Sequence, residues 1–235
     1  MRTVTSGPRS QASREPADIL LAEDEKLVRQ GIRMMIETAP DLRVTAEAAT
    51  GLEAVDLCAR RAFDLVILDI RMPELDGVTA AQRILARDSD QKVMLLTTFN
   101  DDEYALKALR LGVRGYLLKN ADADKLIDSI RSVLTGGLPL EDQVAAKVLP
   151  RLLEGTEVGA VSPADRNAPQ DAGNLTERET SVARLVGLGF SNGEIAAELR
   201  LSSGTVKNVV SAVLDKLGLR DRTQLAIFAI RQGWA

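Results

Sequence analysis

Between Ala17 and Gly136 the chain alternates short apolar runs with amphipathic stretches. DILLA, LRVTAEA, FDLVILD, KVMLLTT and GYLLK are rich in Val, Ile and Leu, and they read as short buried strands. Between them VRQGIRMMIE, LEAVDLCARR, VTAAQRILAR, DEYALKALRLG and DKLIDSIRSVL carry apolar residues at helical spacing. Five strand–helix repeats predict a doubly wound α/β domain, a five-stranded parallel sheet covered by helices on both faces. In such sheets ligands sit outside the carboxyl ends of the strands, so polar groups at those ends are the first candidates for a site.

The pattern changes after Gly136. LEDQVAAKVLPRLLE reads as a helix interrupted or bent at Pro150, and GTEVGAVSPADRNAPQDAGN has the Gly, Pro, Ala and polar bias of a flexible linker. From Asn174 onward only helical periodicity remains. Thr176 with Glu179, and Ser191 with Glu194, have the spacing of capping boxes. Ser202 is placed to cap a third helix beginning near Ser203, Gly218 to end it, and a fourth helix is predicted from about Thr223 to Gln232. The expected organisation is a disordered tail over 1–16, an α/β domain over 17–136, a linker over 137–173 with a helical first half, and a small all-α domain of four helices over 174–235.

Composition narrows the function classes. A net charge of −4 provides no chain-wide field for nucleic acid. The charge is uneven, however: residues 174–235 carry 8 basic and 6 acidic residues, whereas 137–173 carry 3 basic and 6 acidic. The single cysteine, Cys58, excludes an intrachain disulfide, fits a reducing compartment and reads as a small buried hydrophobe. No apolar stretch approaches the roughly 18 residues that span a bilayer, and the polar N-terminus has no hydrophobic signal region. A cytoplasmic protein with no membrane contact is expected. The chain has no histidine, which removes histidine metal ligands and general bases. Any phosphohistidine in its chemistry belongs to another protein.

The strand ends carry the chemistry. The first strand ends in Glu23-Asp24-Glu25, the third in Asp69-Ile70-Arg71, the fourth in Thr97-Thr98 and the fifth in Lys119. A parallel sheet brings all four to one edge. Carboxylates crowded there repel one another and are costly to bury unpaired. A hard divalent cation and a lysine ammonium relieve that repulsion, and Mg²⁺ fits best, because it prefers oxygen ligands and leaves room for water and phosphate. Such a pocket suits phosphoryl transfer to a carboxylate nucleophile. Lys119 and the metal would neutralise the transferring group, and Thr97 would hydrogen-bond a phosphoryl oxygen.

Residues 18–136 resemble the receiver domain of two-component response regulators, a flavodoxin-like fold. The segments that carry the resemblance are ILLAEDE, VILDIRMPELDG, VMLLTTF and GYLLKN. The resemblance implies that Asp69 is the phosphoacceptor. It implies that Glu23 and Asp24 occupy the metal-binding acidic positions, with Asp24 and Asp69 as ligands and Arg71 contributing its backbone carbonyl. Thr97 and Lys119 then bind the phosphoryl group, and Tyr116 is the aromatic residue whose rotamer responds to it. The acidic pair is Glu-Asp where Asp-Asp is commoner, and Asn120 follows Lys119 where many receivers have proline.

In the C-terminal region SNGEIAAELRLSSGTVKNVVSAVLDKLG has the layout of a helix-turn-helix. Ile195, Ala196 and Leu199 form one apolar face, and Val206, Val210, Val213, Leu214 and Leu217 form the next. The opposite side of the second helix presents Thr205, Lys207, Asn208 and Ser211. Asn208 suits adenine, and Lys207 suits guanine or a phosphate. Hydroxyls of Ser202, Ser203 and Thr205 at the helix N-terminus suit a backbone phosphate. The stretch from Leu175 to Ala229 resembles the LuxR-type DNA-binding domain, and the two resemblances together are those of the NarL/FixJ family. Members usually carry histidine where this chain has Val209, which points to unusual base preference, with thymine-methyl contact by Val209.

The resemblance implies a non-enzymatic transcription regulator with three partners: a sensor histidine kinase, double-stranded promoter DNA, and a second copy of itself once phosphorylated. A regulator that binds DNA independently of phosphorylation is the principal alternative, and a protein-docking module is another. A phosphohydrolase with an aspartyl nucleophile is disfavoured, because it wants a second acid two residues on, where Arg71 stands.

Overall fold

The computed structural model describes residues 15–98, 102–140, 144, 145, 147–149, 151 and 175–235. Most of the expected N-terminal tail, and the linker beyond residue 151, lie outside the described residues.

The five expected strands form one parallel sheet: β1 (Ala17–Ala22), β2 (Leu42–Ala48), β3 (Leu65–Asp69), β4 (Val93–Thr97) and β5 (Gly115–Leu118), in the order β2-β1-β3-β4-β5. The connecting helices are α1 (Lys26–Ile36), α2 (Gly51–Arg60), α3 (Gly77–Arg87), α4 (Asp102–Arg110) and α5 (Ala123–Leu134). Because strand side chains alternate in direction, each strand feeds two cores. Ile19, Leu21, Ile67, Leu96 and Leu117 pack with Ile32, Ile36, Leu126 and Ile130 of α1 and α5. Leu20, Val66, Leu68, Leu95 and Tyr116 pack with Ala54, Ile84 and Leu106 of α2, α3 and α4. Both faces of the sheet are covered, which explains why the strands read as near-continuous apolar runs.

The order reverses at β1 and β3, where the chain steps from one side of the sheet to the other. Side-chain caps start the helices that flank this crevice: Thr50 accepts from the Glu53 N–H and Asp76 from the Thr79 N–H. Two glycines allow the β3–α3 loop to close. A Cβ on Gly77 would lie 2.0 Å from the Asp69 carbonyl oxygen, and one on Gly51 would lie 2.2 Å from the Leu75 carbonyl oxygen. Cys58 is half-buried in α2 and its thiol is pushed up to about 11 by burial, so it packs as an unreactive thiol.

The C-terminal region folds as four helices: α6 (Glu177–Gly187), α7 (Asn192–Leu199), α8 (Ser203–Leu217) and α9 (Arg222–Arg231). Both capping boxes form, on Thr176 and on Ser191. Ser202 caps α8, and Gly218 ends it in the left-handed conformation. The fourth helix begins at Arg222 rather than Thr223, because Asp221 supplies its N-cap. Between the two units residues 144, 145, 147–149 and 151 are helical. There Val144, Ala145, Val148 and Leu149 are buried and join the core of the α/β region to that of the helical region.

Gly77→Ala is expected to destabilise the protein by roughly 1–3 kcal/mol, since the added methyl meets backbone that cannot yield. Gly31, in mid-helix with nothing within 4 Å of an added Cβ, should behave oppositely, Gly31→Ala stabilising by about 0.5–1 kcal/mol. Urea denaturation of both variants tests the contrast.

Candidate phosphoacceptor pocket and DNA-reading helix

Every strand-end group anticipated at the sheet edge arrives there. The Lys119 Nζ lies 2.9 Å from Asp69 Oδ1 and 2.6 Å from Glu23 Oε2. Ligand-capable oxygens of Glu23, Asp24 and Asp69 all lie within 4.8 Å of one another. Glu23 and Asp69 are buried, with relative exposures of 1% and 4%, whereas Asp24 is exposed at the mouth. Parallel pairing of β1 with β3 and of β3 with β4 sets these positions. A further backbone bond from the Lys119 N–H to the Thr97 carbonyl, at 2.7 Å, ties the end of β5 to the end of β4.

The electrostatics follow from two buried carboxylates sharing one ammonium. Burial raises the pKa of Glu23 above the usual carboxylate range; the Lys119 hydrogen bond opposes this and the Asp69 charge adds to it. Burial likewise raises Asp69, against the pull of Lys119 and the backbone N–H groups of Arg71 and Ile70. At Lys119 burial disfavours the charge, but hydrogen bonds to Glu23 and Asp69 prevail and its pKa is raised. Glu23 Oε2 is buried, and the ammonium that faces it at 2.6 Å is shared with Asp69. Three carboxylates within ligand distance of one another, two of them buried on a single shared ammonium, make an oxygen donor set that suits a hard divalent cation.

A cavity of about 460 Å³ opens beside this cluster, lined by Asp24, Ile70, Arg71, Met72, Pro73, Asp76, Thr97, Tyr104 and Tyr116. Thr97 is buried at the end of β4. Tyr116 is wholly buried and lines the same cavity as Thr97. Glu74, in the loop above Asp69, adopts a left-handed φ of 64°, a conformation uncommon outside glycine.

In the helical region α8 buries Val206, Val210, Val213 and Leu217 and exposes Ser203, Lys207, Asn208 and Ser211. Ser202 is partly engaged: its Oγ accepts from the Thr205 N–H at 3.1 Å and lies 2.8 Å from Thr205 Oγ1. Val209 is half-buried against the core, so much of its surface is taken up in packing. α7 ends at Arg200 in the left-handed conformation, φ 54°. That turn holds α7 against α8, and Arg222 braces α7 by donating to Asn192 Oδ1 at 2.8 Å and to the Phe190 carbonyl.

Comparison with known proteins agrees with both halves. Residues 19–131 match the family described as response regulator receiver domain, and residues 173–229 match the bacterial regulatory proteins of the luxR family. The chain is 36% identical over 215 residues to the transcriptional regulatory protein LnrK of Bacillus subtilis, covering 92% of this chain and 97% of that one. It is 36% identical over 214 residues to LiaR of the same organism, covering 91% and 96%. The chain belongs to the LuxR-family response regulators. Among solved structures, a LuxR-family two-component response regulator from Aurantimonas sp. SI85-9A1 aligns with a TM-score of 0.55 at 30% identity, covering 59% of this chain and 99% of that one.

As a response regulator this chain shows features that its sequence pattern does not announce. The Glu23–Lys119 ion pair is one: the methylene that distinguishes Glu from Asp gives the reach. Arg200 is another, since left-handed helix ends usually signal themselves by glycine or asparagine. No helix of the described residues is long and apolar enough to cross a membrane.

Because burial disfavours the charged form of Asp69, its raised pKa means that stability is fully present below the unfolded-state value and is lost as pH rises through the folded-state value. Without divalent cations, thermal stability should therefore fall as pH rises through and above the carboxylate range, and Asp69→Asn should melt higher than wild type at neutral pH. Calorimetry in chelator against Mg²⁺ checks this, with the cation narrowing the gap.

Proposed function

We propose that the protein is a DNA-binding regulator activated by transfer of a phosphoryl group from a histidine kinase to Asp69. The observation that carries this is the placement of Lys119 Nζ against both Asp69 and Glu23, within a cluster whose third carboxylate, Asp24, faces the opening. An unpaired buried nucleophile would be held neutral by burial; beside a fixed ammonium its carboxylate form is retained.

In this mechanism an Asp69 carboxylate oxygen attacks the phosphorus of a phosphohistidine on the kinase. The new P–O bond forms as the P–N bond breaks, and the imidazole nitrogen keeps the electron pair and takes up a proton. The chain's lack of histidine requires that this imidazole come from a partner. Lys119 then neutralises phosphoryl oxygens, and the Thr97 hydroxyl donates to one of them. Glu23, Asp24, Asp69 and the Arg71 carbonyl would hold Mg²⁺, which supplies charge neutralisation at the transferring group. No other chemistry is assigned to the chain.

The proposed receiver unit spans 17–136, and the proposed DNA-binding unit spans 174–235. The exposed face of α8 is assigned to the major groove. Lys207 and Asn208 contact base edges or phosphate; Ser203 and Ser211 flank them; Ser202 and Thr205 hold the helix N-terminus, and the uncovered edge of Val209 lies at the margin. With only Lys207 as a cation on that face, one copy binds weakly, and pairing of two phosphorylated copies supplies the remaining affinity. Such a protein works beside the chromosome, in the bacterial cytoplasm.

Incubation with labelled acetyl phosphate tests the assignment. Wild type should take up label only with divalent cation, and Asp69→Asn should take up none; labelling of Asp69→Asn at the wild-type rate would overturn it. In gel shifts against the protein's own promoter region, Lys207→Ala should lower affinity by roughly tenfold. Tight binding unchanged by phosphorylation would favour the phosphorylation-independent regulator instead.

A further inference from the structure

The N-cap of α9 serves two units at once. Asp221 Oδ1 accepts from the Gln224 N–H at 2.9 Å, which caps the helix. Its other oxygen faces the receiver, where Oδ2 accepts from Ser132 Oγ at 2.7 Å and from the Leu138 N–H at 2.6 Å. Gln224 adds a long bond from Nε2 to the Gly136 carbonyl, at 3.4 Å. Hydrogen bonds to an ionised acceptor are shorter and stronger than neutral ones, and both of these are short.

The glycine pair that follows α5 is shaped for this approach. A Cβ on Gly137 would lie 2.0 Å from Ser132 Oγ and 2.4 Å from Asp221 Oδ2; one on Gly136, at φ 91°, would meet the Arg220 guanidinium at 2.4 Å. A side chain at residue 137 would therefore displace the Ser132 hydroxyl and the Asp221 carboxylate from each other. Close by, Ala145 of the linker packs with Val186, Gly189 and Ala226, leaving only about 10 Å³ of free space.

This contact lies at the edge of the sheet where β4 and β5 begin, opposite the acidic pocket, and the chain from it runs back along β5. The residue after Leu138 is Pro139, whose carbonyl accepts from the Tyr116 N–H at 3.0 Å, and Leu140 makes a single parallel bridge to Tyr116 on the β5 edge. The short segment 138–140 thus holds Asp221 through the Leu138 N–H and the Tyr116 backbone through the Pro139 carbonyl. With the units so joined, Ser203, Lys207, Asn208 and Ser211 of α8 remain exposed.

We propose that Asp221 is a positioning residue that, with Ser132 and the Leu138 N–H, latches the DNA-binding unit to the end of α5 with its reading face uncovered. Phosphorylation then controls how two such bodies are paired, because no mask has to be removed from α8. The inference rests on the assignment of α8 as the DNA-reading helix.

Two full-length variants test it. Gly137→Ala crowds Ser132 Oγ and Asp221 Oδ2 without altering any residue of the helical unit, and Asp221→Asn keeps an N-cap acceptor while losing the charge that holds both donors. Small-angle scattering of the unphosphorylated proteins should show both variants more extended than wild type. Binding to a labelled mixed-sequence duplex at low salt should stay within about twofold of wild type for both, as expected for surface changes away from the contacting side chains. Scattering profiles identical to wild type in both variants would overturn the latch. A gain in duplex affinity of about tenfold or more in the extended variants would show that docking masks α8, and would overturn the uncovered reading face. If wild type and variants all fail to bind duplex, the DNA-reading assignment itself fails and the uncovered face with it, while scattering still decides whether Asp221 holds the two units together.

Discussion

Two buried carboxylates, Glu23 and Asp69, share the single ammonium of Lys119, and the geometry of the phosphoacceptor pocket depends on that unequal pairing. A balanced buried pair would be a static structural element. Two acids on one lysine leave an excess of negative charge, which burial opposes. The pocket is therefore electrostatically incomplete, and a divalent cation at its mouth, where Asp24 is exposed, is the direct physical remedy. Under the proposed function the same incompleteness makes the site responsive, since phosphorylation and metal binding would both change which charges Lys119 must satisfy.

Holding that arrangement requires backbone to approach backbone closely. Gly77 lets the loop after Asp69 return against the Asp69 carbonyl, and Gly51 lets α2 begin against Leu75. Parallel pairing through β1, β3, β4 and β5 then aligns Glu23, Asp69, Thr97 and Lys119 at one edge. The rigidity lies in the sheet, and the adaptable groups sit in the loops at its carboxyl end.

The same economy of glycine recurs at the junction with the helical unit. Gly136 and Gly137 admit Arg220 and Asp221 to contacts that any side chain would block. The buried apolar residues of the linker run into both cores, so the described parts of the chain pack as a continuous body. The binding helix is oriented by contacts on its back and on α9, which leaves its polar face open.

Much of this was legible in the residues. Short continuous apolar runs and amphipathic runs at helical spacing defined the strands and helices, because a strand covered on both faces and a helix covered on one leave different local patterns. Ser/Thr-x-x-Glu spacing located two helix starts, because the capping partners are three residues apart. The order of acids, threonine and lysine after successive strands located the pocket, because a parallel sheet sends every such end the same way. What folding alone decided involves partners far apart in sequence. That Glu23 takes the lysine, that Tyr116 is wholly buried, that Val209 is spent partly on packing and that Asp221 reaches back to Ser132 depend on distances between elements. Local pattern carries no information on those distances, which follow from how whole surfaces pack.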